Sequence, residues 1–129
     1  MKKLLITLFV LAAMFIPKPV LSADDYDKEW LPGDSIVVGS VCKSEKVILE
    51  VARNDTISEE ATLNKIREFT YTDDCLTVFP PIPFYVHSIV VGYKDFKKRP
   101  SVVLALRFIG DKQQNIVGYA IGAGSPGSI

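Results

Sequence analysis

The sequence predicts one small α+β domain: a mostly antiparallel β-sheet of five to six strands, one amphipathic helix on one face, and one disulfide. Three observations lead to this prediction. Short segments rich in β-branched and apolar residues recur after residue 35, one central segment repeats its apolar residues with a helical period, and the only two cysteines flank that segment. A small closed β-barrel with one helix, built from the same strands, is the alternative architecture.

Residues 1–23 have the layout of a secretory signal peptide. Lys2 and Lys3 supply the positive charge, and an apolar stretch of about 13 residues follows, which is short for a membrane span. Cleavage can follow either Ser22 or Ala23, and an uncleaved N-terminal anchor is the alternative. We therefore expect a protein that is secreted or periplasmic after cleavage, with no stable membrane span in the mature chain.

The mature part of the chain is small and slightly acidic. Removal of residues 1–23 leaves 129 − 23 = 106 residues, which suffices for one modest core and not for two. Lys2, Lys3 and Lys18 leave with this segment, so 15 − 3 = 12 basic residues face 15 acidic ones, a net charge of −3. A net acidic domain argues against a dedicated nucleic-acid binder.

Cys42 and Cys75 are the only cysteines, and an even pair in an exported chain predicts a disulfide. Closing a loop of about 30 residues stabilises a fold by roughly 3–4 kcal/mol in the chain-entropy treatment. A spacing of 75 − 42 = 33 residues and a single histidine fit neither a metal site nor a redox pair. We therefore expect no metal and no cofactor.

The remaining chain divides into three parts. Residues 24–34 form a polar N-terminal segment whose Trp30 and Leu31 are expected to dock on the domain, residues 35–122 form the domain, and residues 123–129 form a flexible tail. Within the domain, alternation and β-branched runs predict five strands and a further short strand after Cys75. The five strands are expected over residues 35–42, 45–52, 84–93, 102–109 and 115–121.

Residues 56–69 predict the single helix. Thr56 and Glu59 fit a capping box, in which each side chain satisfies the other residue's backbone N–H. Four residues then share one face at 3.6 residues per turn, namely Thr62, Leu63, Ile66 and Phe69. This face is expected to pack on the sheet.

His87 is the only histidine and lies in the predicted strand 84–93, in an aromatic and aliphatic stripe that includes Tyr85. Because its pKa lies near neutrality, a histidine can act as a general base, so a small hydrolase using His87 is one functional hypothesis. No G-x-S-x-G motif accompanies it, and Ser88 points to the opposite face of a regular strand. We expect no catalytic residues and a non-enzymatic protein.

The loop "KDFKKRP" between two predicted strands is the best candidate for a binding surface. A basic loop with an aromatic residue suits a polyanion such as lipid headgroups or cell-surface sugar phosphates. The alternative is a solvated turn whose lysines protect the hairpin edge from aggregation. The full set of candidate binding residues comprises Lys94, Phe96, Lys97, Lys98 and Arg99 in the loop, with Tyr85 and His87 on the strand.

Together, these features predict an exported, non-enzymatic binding or interaction module of the cell envelope or the extracellular space. Its partner is expected to be another envelope or extracellular protein, or an anionic surface component, and not a nucleic acid. An inhibitor of an envelope or secreted hydrolase is the main alternative, because small disulfide-bonded β domains present rigid loops well.

Overall fold

The computed structural model describes residues 20–22, by their backbone, and residues 25–127. It confirms the predicted α+β class, with a mostly antiparallel sheet, helices on one face and one disulfide. The elements in chain order are β1 (Val20–Ser22), β2 (Glu29–Trp30), β3 (Ser35–Val37), β4 (Ser40–Cys42), α1 (Glu45–Asp55), α2 (Glu59–Tyr71), β5 (Cys75–Thr77), β6 (Pro83–Lys94), β7 (Pro100–Phe108), β8 (Gly118–Ala123) and β9 (Ser125–Pro126).

The main sheet has the strand order β1-β3-β6-β7-β8-β4-β5. Its neighbours are antiparallel, except that β1 is parallel to β3. Only Val38 and Gly39 separate β3 from β4 along the chain, although three other strands lie between them in the sheet. The predicted strand 35–42 is therefore one extended segment with a bend, and the sheet curls into a half-barrel around it.

The concave side of the curled sheet holds the main core. Strand β7 lies between β6 and β8, as expected for a central strand, and it is buried on both faces. Its Val102 and Leu104 face the concave side and its Val103 faces the helices. The buried residues of this inner cluster are Trp30, Ile36, Val38, Val41, Phe84, Val86, Val102, Leu104, Leu106 and Ala120.

Trp30 closes the inner cluster from the N-terminal segment. Its side chain is 0% exposed, and its indole Nε1–H donates a hydrogen bond of 2.7 Å to the carbonyl oxygen of Ala123. This hydrogen bond satisfies the one polar group that the indole ring brings into the core. The expected docking of residues 24–34 is thus observed for Trp30, whereas Leu31 remains 37% exposed.

The C-terminal residues are held by the same N-terminal segment. Ser125 N–H donates to the Lys28 carbonyl and Gly127 N–H donates to the Trp30 carbonyl, both at 2.8 Å, so that β9 pairs with β2. Gly124 has φ +122°, and a Cβ placed there would lie 2.9 Å from the Trp30 Nε1 atom. Within the segment predicted as a flexible tail, backbone groups of residues 123–127 thus find partners on the domain, whereas residues 128 and 129 lie outside the described residues.

Residues 45–52 form most of helix α1, so the prediction of a strand there is wrong. The Ser44 side chain caps this helix by accepting a hydrogen bond of 3.2 Å from Val47 N–H. The apolar residues of this segment fit both a strand and a helix. They alternate as in a strand, and together with their apolar neighbours they also form one face of a helix. The face that is buried against the sheet consists of Ile48, Val51 and Ala52.

The helix predicted over residues 56–69 is confirmed as α2, which begins at Glu59. Its cap is Ser58, whose hydroxyl accepts a hydrogen bond of 3.0 Å from Ala61 N–H. The proposed capping box with Thr56 is wrong, because Thr56 ends α1 and its N–H donates to the Arg53 carbonyl. The predicted apolar face of α2 is only half-buried, and Leu63 is 46% exposed.

The predicted disulfide between Cys42 and Cys75 is confirmed and lies beneath the two helices. Both cysteines are buried, and they are directly paired residues of β4 and β5. They pack in an outer cluster with Ile48, Val51 and Val103. No helix in the described part of the chain is both long enough and apolar enough to cross a membrane.

Replacing Trp30 should destabilise the fold strongly. We expect Trp30→Ala to lower the free energy of unfolding by about 3–5 kcal/mol, because it removes the largest fully buried side chain of the inner cluster. Trp30→Phe should cost less, since it keeps apolar volume but leaves the Ala123 carbonyl without its donor. Urea unfolding followed by circular dichroism measures both.

The matched control for this experiment is Leu31→Ala, which truncates the partly exposed neighbouring residue. It should change the free energy of unfolding by less than about 1 kcal/mol. A loss from Trp30→Ala no larger than that from Leu31→Ala would show that the indole does not hold the core together.

Candidate binding site

The 94–100 loop is built around a buried carboxylate that the sequence analysis did not single out. Asp95 is 4% exposed, and its Oδ1 accepts hydrogen bonds of 2.9 Å from the backbone N–H groups of Lys97 and Arg99. Its Oδ2 accepts a third hydrogen bond of 2.9 Å from Arg99 Nε. A backbone hydrogen bond also joins the two ends of this turn, since Asp95 N–H donates to the Arg99 carbonyl at 3.0 Å.

These contacts set the charge state of Asp95. Burial acts to raise the pKa of its carboxyl group, but the hydrogen bonds from Arg99 and Lys97, together with the guanidinium charge, outweigh burial and lower the pKa. The carboxylate therefore stays ionised and keeps accepting from all three donors at neutral pH.

The loop is attached to the rest of the fold on two sides. Phe96 N–H donates a hydrogen bond of 2.8 Å to the Asp55 carbonyl at the end of α1. The Arg99 guanidinium carbon lies 4.5 Å from the centre of the Tyr26 ring and 5.7 Å from that of Phe96. Such cation–π contacts fix the position of the guanidinium. Arg99 therefore belongs to the framework of the loop, although its side chain remains 37% exposed.

Asp55 joins three elements beneath the loop. Its Oδ2 accepts a hydrogen bond of 2.6 Å from the Tyr93 hydroxyl on β6, and its Oδ1 accepts one of 3.1 Å from the Thr62 hydroxyl on α2. Burial and the neighbouring Asp55 carboxylate raise the pKa of Tyr93. Tyr93 therefore remains a hydrogen-bond donor, and the base of the loop is fixed against both helices.

Two shallow grooves lie on either side of Arg99. The larger, of about 360 Å³, is lined by Tyr26, Asp55, Glu59, Thr62, Leu63, Phe96, Lys97 and Arg99. The smaller, of about 200 Å³, lies towards β8 and shares Tyr26, Asp55 and Arg99. Among the described residues, no group of three or more His, Cys, Asp or Glu side chains could hold a metal ion. The two grooves and the charged side chains that line them therefore form a surface to which a ligand can bind.

The predicted loop residues separate into two groups. Lys94, Lys97 and Lys98 are exposed, and none of them forms an ion pair within residues 25–127. Phe96 is half-buried, with Lys97 Nζ 5.7 Å from its ring centre. The three lysines are therefore the part of the loop that is available to a partner, while Phe96 and Arg99 form its frame.

Tyr85 and His87 lie elsewhere on β6. His87 precedes Lys94 by seven residues, a separation of about 23 Å along a strand. The Tyr85 ring is covered by the Arg107 guanidinium, whose carbon lies 4.9 Å from the ring centre. The structure therefore does not bring these two candidates together with the loop lysines.

His87 occupies an irregular position in the ladder between β6 and β7. The pairing shifts between Val86 and Ser88 and again between Ile89 and Val91, which breaks the regular alternation on which the predicted stripe depended. Ile89 packs on the inner cluster, whereas Tyr93 packs on the outer one. The His87 side chain makes no hydrogen bond or ion pair to any residue in the described ranges, so it lacks the partner that a general base requires.

Asp95, Asp55 and Tyr26 are the residues that sequence reasoning missed. Asp95 carries a local signal, since an aspartate at the start of a turn often accepts hydrogen bonds from the following backbone N–H groups. Asp55 and Tyr26 carry none, because they reach the loop only through the folding of distant segments.

Comparisons with protein-family models, with curated proteins and with solved structures find no match for this chain.

Replacing the buried carboxylate should loosen the loop and change its response to pH. We expect Asp95→Asn to lower the free energy of unfolding at pH 7 by about 2 kcal/mol, because three hydrogen bonds to a charged acceptor are weakened. A lowered pKa in the folded state means that this stabilisation is present above the unfolded value of about 3.9 and is lost as pH falls through the folded pKa. The difference in free energy of unfolding between the unchanged protein and Asp95→Asn should therefore become smaller below pH about 4.

Urea unfolding at a series of pH values measures this difference. Asp111→Asn is the matched control, since Asp111 also accepts from two backbone N–H groups, those of Gln113 and Asn115, but has no arginine partner in the described part of the chain. The control should cost less than about 1 kcal/mol. A difference for Asp95→Asn that does not change with pH would contradict the assignment of an ionised Asp95.

Proposed function

We propose that this chain is an exported, non-enzymatic binding module of the cell envelope or the extracellular space, and that it engages an anionic surface component through Lys94, Lys97 and Lys98. One observation carries this proposal. The acid of the loop is turned inward onto backbone donors and Arg99, while the three lysines extend outward with no acid partner in the described structure.

Two features support export. Residues 1–23 have the charge and hydropathy pattern of a signal peptide. The bond between Cys42 and Cys75 suits an oxidising compartment, because disulfides are rare in the reducing cytosol.

The construction of the loop supports binding. A loop that is already ordered loses little conformational freedom when it binds, so more of the attraction to a partner remains as affinity. Here the backbone is fixed by Asp95 and by the link from Phe96 to Asp55 before any partner arrives. The ligand chemistry that fits three exposed ammonium groups is a surface with several phosphate groups, carried either by lipid headgroups or by a sugar-phosphate polymer.

The test removes the three charges without touching the frame. The variant Lys94→Gln, Lys97→Gln, Lys98→Asn keeps Arg99 and places Asn where the backbone is left-handed, at φ +63°. We expect it to bind vesicles of phosphatidylglycerol and phosphatidylcholine, or a soluble sugar-phosphate polymer, about 100-fold more weakly than the unchanged protein, at about 1 kcal/mol per lysine. Co-sedimentation with vesicles and calorimetry with the polymer distinguish the two sources of phosphate.

The matched control lowers the net charge by the same amount at other exposed positions, with Lys43→Gln, Lys46→Gln and Lys112→Gln. It should bind almost as well as the unchanged protein, and that binding should weaken as salt is added. Equal losses in both variants would show that binding follows net charge and not the loop. Strong binding by the loop variant would contradict the proposal.

An inhibitor of an envelope or secreted hydrolase is the second candidate, favoured by the rigid frame of the same loop. A loop that fills an enzyme cleft must hold its shape. Here the hydrogen bonds that Asp95 accepts and the stacking of Arg99 on Tyr26 hold it. In this case, an affinity pull-down from the native compartment should recover one hydrolase, and Asp95→Asn should weaken its inhibition. A small hydrolase using His87 has less support, because His87 has no hydrogen-bonded acid or nucleophile among residues 25–127.

A further inference from the structure

One edge of the main sheet is covered by β1, a segment that would be removed by the proposed signal cleavage. Strand β1 pairs in parallel with β3, with Val20 opposite Ser35, Leu21 opposite Ile36 and Ser22 opposite Val37. Within the described residues, β3 has no other neighbour on this side of the sheet. The edge of β3 thus accepts a three-residue strand in a defined register and direction.

Export would expose this edge. Signal cleavage hydrolyses the peptide bond after either Ser22 or Ala23, with one water molecule added across the bond, and both positions detach β1 from the domain. The outward N–H and C=O groups of β3 then lose their partners. Unpaired strand edges recruit extended chains, because every pairing restores hydrogen bonds that the edge lacks.

The rest of the N-terminal segment is not free to replace β1. The ring of Tyr26 lies against the Arg99 guanidinium, 4.5 Å from its carbon. The Lys28 carbonyl accepts from Ser125 N–H, and Trp30 is buried in the inner cluster. Glu29 and Trp30 also pair with β9 in a separate two-stranded sheet, so this segment is already engaged elsewhere.

We propose that the edge of β3 in the cleaved protein binds an extended segment of a partner protein, which adds to the sheet as a parallel strand in the position of β1. This inference rests on the proposed export and is separate from binding at the loop. The segment should carry an apolar residue opposite Ile36, because Ile36 faces the inner cluster and is 0% exposed. It should carry residues that tolerate contact with water at the flanking positions, which alternate to the other face.

The probe is a synthetic peptide with the sequence of residues 17–23, Pro-Lys-Pro-Val-Leu-Ser-Ala. It is added to the exported, cleaved protein while amide shifts are followed by NMR, at about 1 mM because a three-residue pairing is weak. We expect shift changes centred on Ser35, Ile36 and Val37. The same peptide with Leu21→Pro should cause none, since proline lacks a backbone N–H and is disfavoured within a strand.

A chain that begins at Val20 keeps β1 and should show no shift changes with either peptide. Intact mass of the exported protein separates the possible failures. A mass that retains residues 20–22 overturns the export proposal and this inference with it, whereas a correctly cleaved protein that gives no shifts at Ser35–Val37 overturns this inference alone. Broadening of the same amides at high protein concentration without peptide would show that the edge pairs with a second copy, which also overturns it.

Discussion

The bend at Val38–Gly39 is the constraint on which the rest of the structure depends. Three residue steps join Val37 to Ser40 and can span at most about 11 Å. In a flat sheet, β3 and β4 would lie four strand spacings apart, or about 19 Å at 4.8 Å per spacing. The link cannot reach that far, so the sheet must curl until its two sides approach each other. The short connection between β3 and β4 therefore requires the sheet to curl into the half-barrel.

A curled sheet encloses a volume, which the side chains of its own strands fill together with one large side chain from outside the sheet. Trp30 comes from the N-terminal segment and enters the inner cluster, and its indole N–H is satisfied by Ala123 at the end of β8. The same segment then pairs with β9, and its Tyr26 reaches the 94–100 loop through Arg99. The N-terminal segment therefore connects the core through Trp30, the C-terminal residues through β2, and the frame of the candidate binding site through Tyr26.

The sequence predicts local features of this protein better than it predicts long-range ones. The strands of the last third are recognisable because they are runs rich in apolar and β-branched residues that are separated by turn residues, and the disulfide follows from a count of two cysteines. Residues 45–52 mislead because their apolar pattern fits two periods, and Ser44, which caps the helix, resembles a turn residue. The basic residues of the loop are visible in the sequence. Asp55 contacts Phe96 across 96 − 55 = 41 positions and Tyr26 contacts Arg99 across 99 − 26 = 73 positions, and no local pattern predicts such contacts.

The net charge of the chain is a poor guide to the charge that a partner meets. Residues 24–129 carry more acidic than basic residues, yet two acids at the loop are engaged internally. Asp95 accepts from the backbone N–H groups of Lys97 and Arg99 and from the Arg99 guanidinium, and Asp55 accepts from Tyr93 and Thr62. Arg99 is held by Asp95 and by two aromatic rings, so its guanidinium charge is already paired within the frame. The loop itself presents three ammonium groups on a fixed backbone, and Glu59 of α2 is an exposed acid that lines the neighbouring groove. At a Debye length of about 8 Å, a partner close to this loop responds to those groups, while acids on the far side of the domain are screened.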